Sequence, residues 1–164
     1  MPISIIYARE SNPYLADFFY QLRQGFRVKL VRSEGGIKEL LRELQQGNSV
    51  GLAVDTRMDA GELIPFFGVP APTNTVPARL ALKLGCELIP VRALRLEPGR
   101  FRISVLPPVA RPDGSLSPRD QANAMTETLN GIFEGWIRED PGQWMGLKRR
   151  WPREAVPVKV SQAT

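Results

Sequence analysis

An α/β fold, with a mainly parallel central sheet flanked by helices and an antiparallel strand pair toward the C-terminal part, is predicted by three features of this 164-residue chain. Short runs of apolar, β-branched residues alternate with segments whose apolar residues recur at three- and four-residue spacing, as in a chain of strand–helix units. The strand runs are continuous, which suits a parallel sheet covered on both faces. Further on, a two-residue alternation follows a Pro-Gly turn, the mark of an antiparallel pair.

Ile3 to Tyr7 is the first strand candidate. Asn12-Pro13 then reads as an N-cap with proline at the first helical position, and Tyr14, Leu15, Phe18, Phe19 and Leu22 carry a helical stripe to Gly25. That stripe, like the one around Trp136, reads as core. Val28 to Val31 is a second strand. Ile37, Leu40, Leu41 and Leu44 give a second helix ended by Gly47-Asn48, and Val50-Gly51-Leu52-Ala53-Val54 is a third strand. Asp55 to Asn74 breaks the pattern and reads as the longest loop in the chain. A long loop after a parallel strand is where α/β proteins place ligand sites.

Thr75 is expected to cap a helix through Val76, Leu80, Ala81 and Leu84, stopped by Gly85. Leu88-Ile89-Pro90-Val91 follows as a fourth strand, with Pro90 at an edge or a bulge. Phe101, Ile103 and Val105 alternate with Arg102 and Ser104, predicting a half-exposed strand paired to the preceding one through Glu97-Pro98-Gly99. Ser117-Pro118 with Asp120 starts the longest helix, whose face carries Ala122, Met125, Leu129, Ile132, Phe133, Trp136 and Ile137. Asp140-Pro141 caps a final short helix through Trp144 and Leu147. The expected domain is residues 1–153, and residues 154–164 are expected to be a frayed tail.

Composition narrows the chemistry. With 43% hydrophobic and 24% charged residues, the chain is long enough to bury a core without staples. Its one cysteine, Cys86, excludes an internal disulfide. No run approaches the roughly 18–20 apolar residues of a membrane span, and the N-terminus lacks a signal-peptide pattern. The chain contains no histidine. That excludes, from this chain alone, Ser-His-Asp and Cys-His arrangements and every site that uses a histidine base. A formal charge of +5 favours anionic partners.

Three clusters are candidate sites. Asp55-Thr56-Arg57 follows the third strand, where Asp55 can accept from substrate hydroxyls and Arg57 can grip a phosphate, or where Asp55 simply caps a turn. Arg32 precedes Ser33-Glu34-Gly35-Gly36 at a helix start, which suits a phosphate or an ordinary capping turn, since it is neither a Walker nor a dinucleotide motif. Lys148, Arg149, Arg150 and Arg153 interleave with Trp144 and Trp151, a composition suited to a membrane surface or to a solvated face over core tryptophans. No nucleic-acid signature accompanies the patch, so nucleic acid is not expected as a partner.

The run Val50-Gly51-Leu52-Ala53-Val54-Asp55-Thr56-Arg57 through Ile64-Pro65-Phe66-Phe67-Gly68 resembles the central block of the bacterial lipid A biosynthesis acyltransferases, in the lysophospholipid acyltransferase superfamily. Other pieces match in order: Asn12-Pro13-Tyr14, Val31-Arg32, Leu88-Ile89-Pro90-Val91, Leu106-Pro107-Pro108, and Pro141 through Trp151. The resemblance spans about residues 3–153. It implies transfer of a fatty acyl group from acyl carrier protein to a hydroxyl of a phosphorylated glucosamine lipid. It further implies a peripheral location on the cytoplasmic face of the bacterial inner membrane, and no cofactor beyond the acyl carrier protein thioester.

By the same resemblance, Arg32, Asp55 and Arg57 are expected to bind substrate. Phe66, Phe67 and Gly68 are expected to line the acyl or glucosamine pocket, and Arg149 and Arg150 to meet phosphate or acyl carrier protein. The family's catalytic His-x4-acid block has no counterpart here, so the chain resembles the C-terminal half of such an enzyme, an incomplete acyltransferase domain with no catalytic residue of its own. The expected partners are acyl carrier protein, the lipid A precursor, the membrane surface and a missing N-terminal segment. The alternative is a non-catalytic module that binds phosphorylated lipid or acyl carrier protein. Poor solubility is expected of the isolated chain, because a parallel sheet without its full set of strands exposes an edge.

Overall fold

A computed structural model describes residues 3–8, 10–26, 28–33, 35–146 and 148–153. The chain divides into two units, Met1–Ala53 and Val54–Thr164.

The first unit is a three-stranded parallel sheet with two crossover helices. Strand β1 (Ile3–Tyr7) lies between β2 (Lys29–Arg32) and β3 (Ser49–Gly51), in the order β2-β1-β3. Helix α1 (Pro13–Gln24) begins where Asn12 Oδ1 accepts from the Tyr14 amide at 3.0 Å. Helix α2 (Ile37–Gln45) ends before Gly47, whose φ of 80° favours glycine. Three expectations change here. The third strand stops at Gly51 rather than running to Val54. One face of the sheet is also covered only in part: α1 meets it at Tyr7 through Tyr20 and Arg23, but Ile3 and Ile5 are exposed while Ser4 between them is fully buried. The α1 stripe is likewise not core: Tyr14, Leu15, Phe18 and Leu22 are exposed, and Ala16 is the residue of that helix that is buried.

The second unit opens with the largest departure from the expected pattern. The segment expected to be a loop, Asp55 to Asn74, contains an antiparallel hairpin of β4 (Glu62–Phe66) and β5 (Val69–Thr73). Pro65, Pro70 and Pro72 argue against a strand because proline cannot donate to a ladder. The register resolves the conflict. Phe66 pairs with Val69 across the two-residue turn, so Ile64–Ala71 and Glu62–Thr73 are the other hydrogen-bonded pairs. Pro65–Pro70 and Leu63–Pro72 then fall on non-hydrogen-bonded pairs, and all three prolines stand where no ladder N–H is needed. Phe67 and Gly68, with φ of 52° and 72°, make the turn in the positive-φ form typical of tight hairpins.

Helix α3 (Val76–Leu84) follows, capped by Asn74 Oδ1 accepting from the Val76 amide at 3.0 Å rather than by Thr75. Gly85, with φ 70°, ends it in the left-handed conformation. The antiparallel pair is β6 (Val91–Glu97) with β7 (Arg100–Val105). The fourth strand thus begins at Val91, where Leu88 to Val91 was expected, although the Leu106 and Val109 amides continue the pairing onto the Pro90 and Leu88 carbonyls. β7 is more open than the half-exposed strand expected: within it Ser104 alone is half-buried, and Phe101, Ile103 and Val105 face solvent beside Val91 while Arg102 is exposed as well.

Helix α4 (Pro118–Glu139) is the longest, with Ser117 Oγ accepting from the Asp120 amide as its cap. It packs along β4 and α3, burying Ala122, Met125 and Leu129 against a core of Ile64, Phe66, Ala71, Ala78, Leu80 and Ala81. The expected final helix is a single 3-10 turn, Pro141–Gln143. Leu147 and the expected frayed tail, 154–164, lie outside the described residues. Among the described residues no helix is long and apolar enough to cross a membrane.

Candidate functional site

The hairpin tip is the best-built polar and aromatic centre of the second unit. In the non-hydrogen-bonded pairs of β4–β5, the carbonyls of Pro65 and Pro72 point out of the ladder and need donor partners elsewhere. Asn130 on α4 donates its Nδ2 to Pro65 O at 2.8 Å, although Asn130 is itself buried. One turn further along α4, Glu134 Oε1 accepts from the Phe67 amide at 2.7 Å. A further turn on, Arg138 pairs with Glu134 at 2.9 Å and stacks its guanidinium 4.7 Å over the Phe67 ring. The left-handed backbone of Phe67, costly for a non-glycine residue, is thereby clamped on both its N–H and its ring.

The C-terminal basic-aromatic segment closes the other side. Phe66 is fully buried, with Trp144 and Trp151 ring centroids 5.9 and 5.7 Å away and the Arg150 guanidinium 4.8 Å above its ring. Trp151 Nε1 donates to Phe66 O at 2.9 Å. Arg150 donates from Nη1 to Pro72 O at 2.6 Å and from Nη2 to Thr73 Oγ1 at 2.7 Å. The Thr73 hydroxyl in turn donates to Ala71 O at 2.8 Å. Burial pushes the Arg150 guanidinium pKa down, and the nearby negative charge of Asp55 opposes that.

This geometry separates residues that the sequence groups together. Arg149 is exposed, but Arg150 is 2% exposed and holds backbone, so Arg150 is not a surface contact for phosphate or carrier protein. Phe66, expected to line a pocket, is enclosed by aromatic rings and a guanidinium and presents no free face. Phe67 is half-buried and Gly68 is exposed. Asp55 and Arg57 lie on the loop leading into β4. Asp55 is half-buried, and Arg57 directs Nε to Asp59 Oδ1 at 2.5 Å. The Met58 amide donates to Pro72 O at 3.3 Å, and Gly61 lies so close to β5 that a Cβ there would stand 2.3 Å from Thr73 O.

In the first unit, Arg32 ends β2, paired in register with Tyr7 at the carboxyl edge of the sheet, and is exposed. Glu34 of the adjoining turn lies outside the described residues. Gly36 is required there for a steric reason, because a Cβ would lie 2.1 Å from Arg32 O.

Sequence reasoning missed Asn130, Glu134, Arg138 and Thr73. A usable signal existed for the first three, because residues 130, 134 and 138 recur every four positions and so share one helical face. It also missed the centre of the first unit, where Glu43 is buried. Glu43 accepts from Lys29 Nζ at 2.7 Å, Asn48 Nδ2 at 2.9 Å and Ser4 Oγ at 3.0 Å. These bonds, the Lys29 bond foremost, hold its carboxyl below the ordinary glutamate range.

A search of curated proteins returned no match for this chain. The family model for bacterial lipid A biosynthesis acyltransferases matches residues 1–153. That range takes in both units, including the Pro65–Gly68 turn and the Trp144–Trp151 segment that the fold presses together, and the chain belongs to the bacterial lipid A biosynthesis acyltransferase family.

Proposed function

We propose that this chain is the acceptor-binding, C-terminal portion of a lipid A acyltransferase. The enzyme passes a fatty acyl group from acyl carrier protein to a hydroxyl of a phosphorylated glucosamine lipid at the cytoplasmic face of the bacterial inner membrane. The observation that carries this reading is the family match across residues 1–153 in a chain that has no histidine. Acyl transfer from a thioester needs a base to remove the acceptor hydroxyl proton, and none of the site residues of this chain has an ordinary pKa near neutrality. The proposal therefore assigns that base to a His-x4-acid segment carried outside residues 1–164, and assigns acceptor binding to residues within them.

Asp55 and Arg57 suit the acceptor, with one carboxylate to accept from sugar hydroxyls and one guanidinium to meet phosphate. Arg32, in the other unit, is assigned a phosphate contact of its own, and Arg149 a contact with phosphate or the acidic surface of acyl carrier protein. The acyl thioester serves as donor with no further cofactor. The test is acyl transfer from acyl carrier protein to a lipid A precursor, by the chain alone and by a version extended upstream in frame. Activity only in the extended protein is the expected result. Transfer by the 164-residue chain alone would exclude the assignment of the base. Saturable precursor binding without transfer in either protein would favour a non-catalytic lipid-binding module.

A further inference from the structure

We propose that Arg150 is a positioning residue that sets the Asp55–Gly61 loop from beneath, through β5, without touching substrate. Two strands of contact meet on the same peptide. Pro72 O accepts from Arg150 Nη1 at 2.6 Å and from the Met58 amide at 3.3 Å. Thr73 next to it receives Arg150 Nη2 on its hydroxyl and has Gly61 pressed against its backbone. The loop is closed on itself by the Gly61 amide donating to Met58 O at 2.8 Å. A shift of the guanidinium therefore moves the carbonyl that anchors the loop, and with it Asp55 and Arg57.

The chemistry of Arg150 suits this task. It is 2% exposed, and its described partners are a carbonyl, a hydroxyl and the face of Phe66. Among the described residues its Nε has no acceptor, and no carboxylate lies within ion-pair distance of it. The negative charge it does feel is that of Asp55, on the loop it anchors. A planar fork fixed by two divergent bonds and a stacked ring holds direction as well as charge, which a lysine ammonium cannot reproduce.

The proposal rests on the reading of Asp55 and Arg57 as acceptor-binding groups, and the test separates the two. Two variants are compared with the 164-residue chain. Arg150→Lys keeps the charge and loses the fork. Thr73→Val keeps the β-branched shape and loses one anchor, and it serves if the first variant does not fold. Amide hydrogen exchange is expected to show protection at Met58 and Gly61 falling about tenfold or more while the middle of α4 is unchanged. A uniform change, or none, overturns the proposal whatever the chain binds.

Binding of a soluble phosphorylated glucosamine disaccharide, measured well below the melting temperature, is expected to weaken about tenfold in Arg150→Lys. It is expected to weaken no further, within about twofold, when Arg150→Lys is added to Asp55→Asn, because the two act through one loop. Independent, multiplying losses overturn the positioning role. Absence of disaccharide binding by the unaltered chain counts against the acceptor reading alone, and the exchange data still decide the role of Arg150.

Discussion

Each unit is organised around one buried charge, and the two charges are held in different ways. In the first unit the charge is the Glu43 carboxylate, met by the Lys29 ammonium and by two neutral donors, so that α2 is tied to β1, to β2 and to the Asn48 turn. In the second unit it is the Arg150 guanidinium, held by a carbonyl, a hydroxyl and an aromatic face. The first arrangement is a local ion pair that responds to pH. The second joins segments more than seventy residues apart and stays charged at any ordinary pH, because guanidinium does not titrate there. A buried carboxylate held by an ammonium stabilises a unit only while both are ionised, whereas a caged cation depends on the packing of its cage.

Removing the cage tests this contrast most severely. Phe66→Ala deletes the ring on which Arg150, Trp144 and Trp151 converge, and the loss expected for truncating a buried phenylalanine is about 3–5 kcal/mol. Segment-resolved hydrogen exchange should place that loss in residues 54–153 and leave residues 3–53 protected. Equal loss in both would show that the two units unfold as one.

A smaller and more even effect is expected from the two crowded glycines. Gly61→Ala would drive a Cβ to 2.3 Å from Thr73 O, and Gly36→Ala to 2.1 Å from Arg32 O, in each case against backbone. Overpacking of this kind costs about 1–3 kcal/mol, so each variant should melt earlier, with Gly61→Ala also loosening the Asp55 loop. Unchanged melting of either would mean that the local backbone gives way.

The smallest effect expected is that of acid, and it has a definite sign. Because Glu43 has its pKa lowered by folding, it contributes stability that is fully present above the ordinary glutamate range and is lost as pH falls through the lowered value. Lys29, whose pKa the same contacts raise, contributes stability that is lost only at strongly alkaline pH. Glu62 in the second unit is also lowered, by Arg119 first and then by Arg79, but its carboxylate is more open than that of Glu43, 26% against 8% exposed. Added salt should therefore weaken the acid response of the second unit more than that of the first. Glu43→Gln should flatten the acid limb measured by exchange in residues 3–53. An unchanged limb would place the acid sensitivity elsewhere.

Local signals were legible wherever neighbouring residues decide the outcome. Asn12-Pro13, Ser117-Pro118 and Gly85 mark helix ends because caps and left-handed turns depend on the few residues that make them. The β6–β7 pair follows from its turn and its alternation. The order of short blocks from Asn12 to Trp151 was likewise enough to point to the acyltransferase family that the comparison identifies.

Other features depended on what covers a residue, which no local pattern records. The three prolines hid β4–β5, and only the register shows that each falls where no ladder donor is needed. The stripe on α1 has the spacing of a core helix, yet Tyr14, Phe18 and Leu22 remain exposed. Arg149 and Arg150 are adjacent and chemically identical in sequence, but one faces solvent and the other is buried over the Phe66 ring with its fork on Pro72 and Thr73. The sequence by itself determined the four α-helices, the β6–β7 turn and the family, because these arise from short-range sterics and from residue identity. The tertiary structure alone decided which charge is buried and which loop it anchors, because desolvation is set by long-range packing.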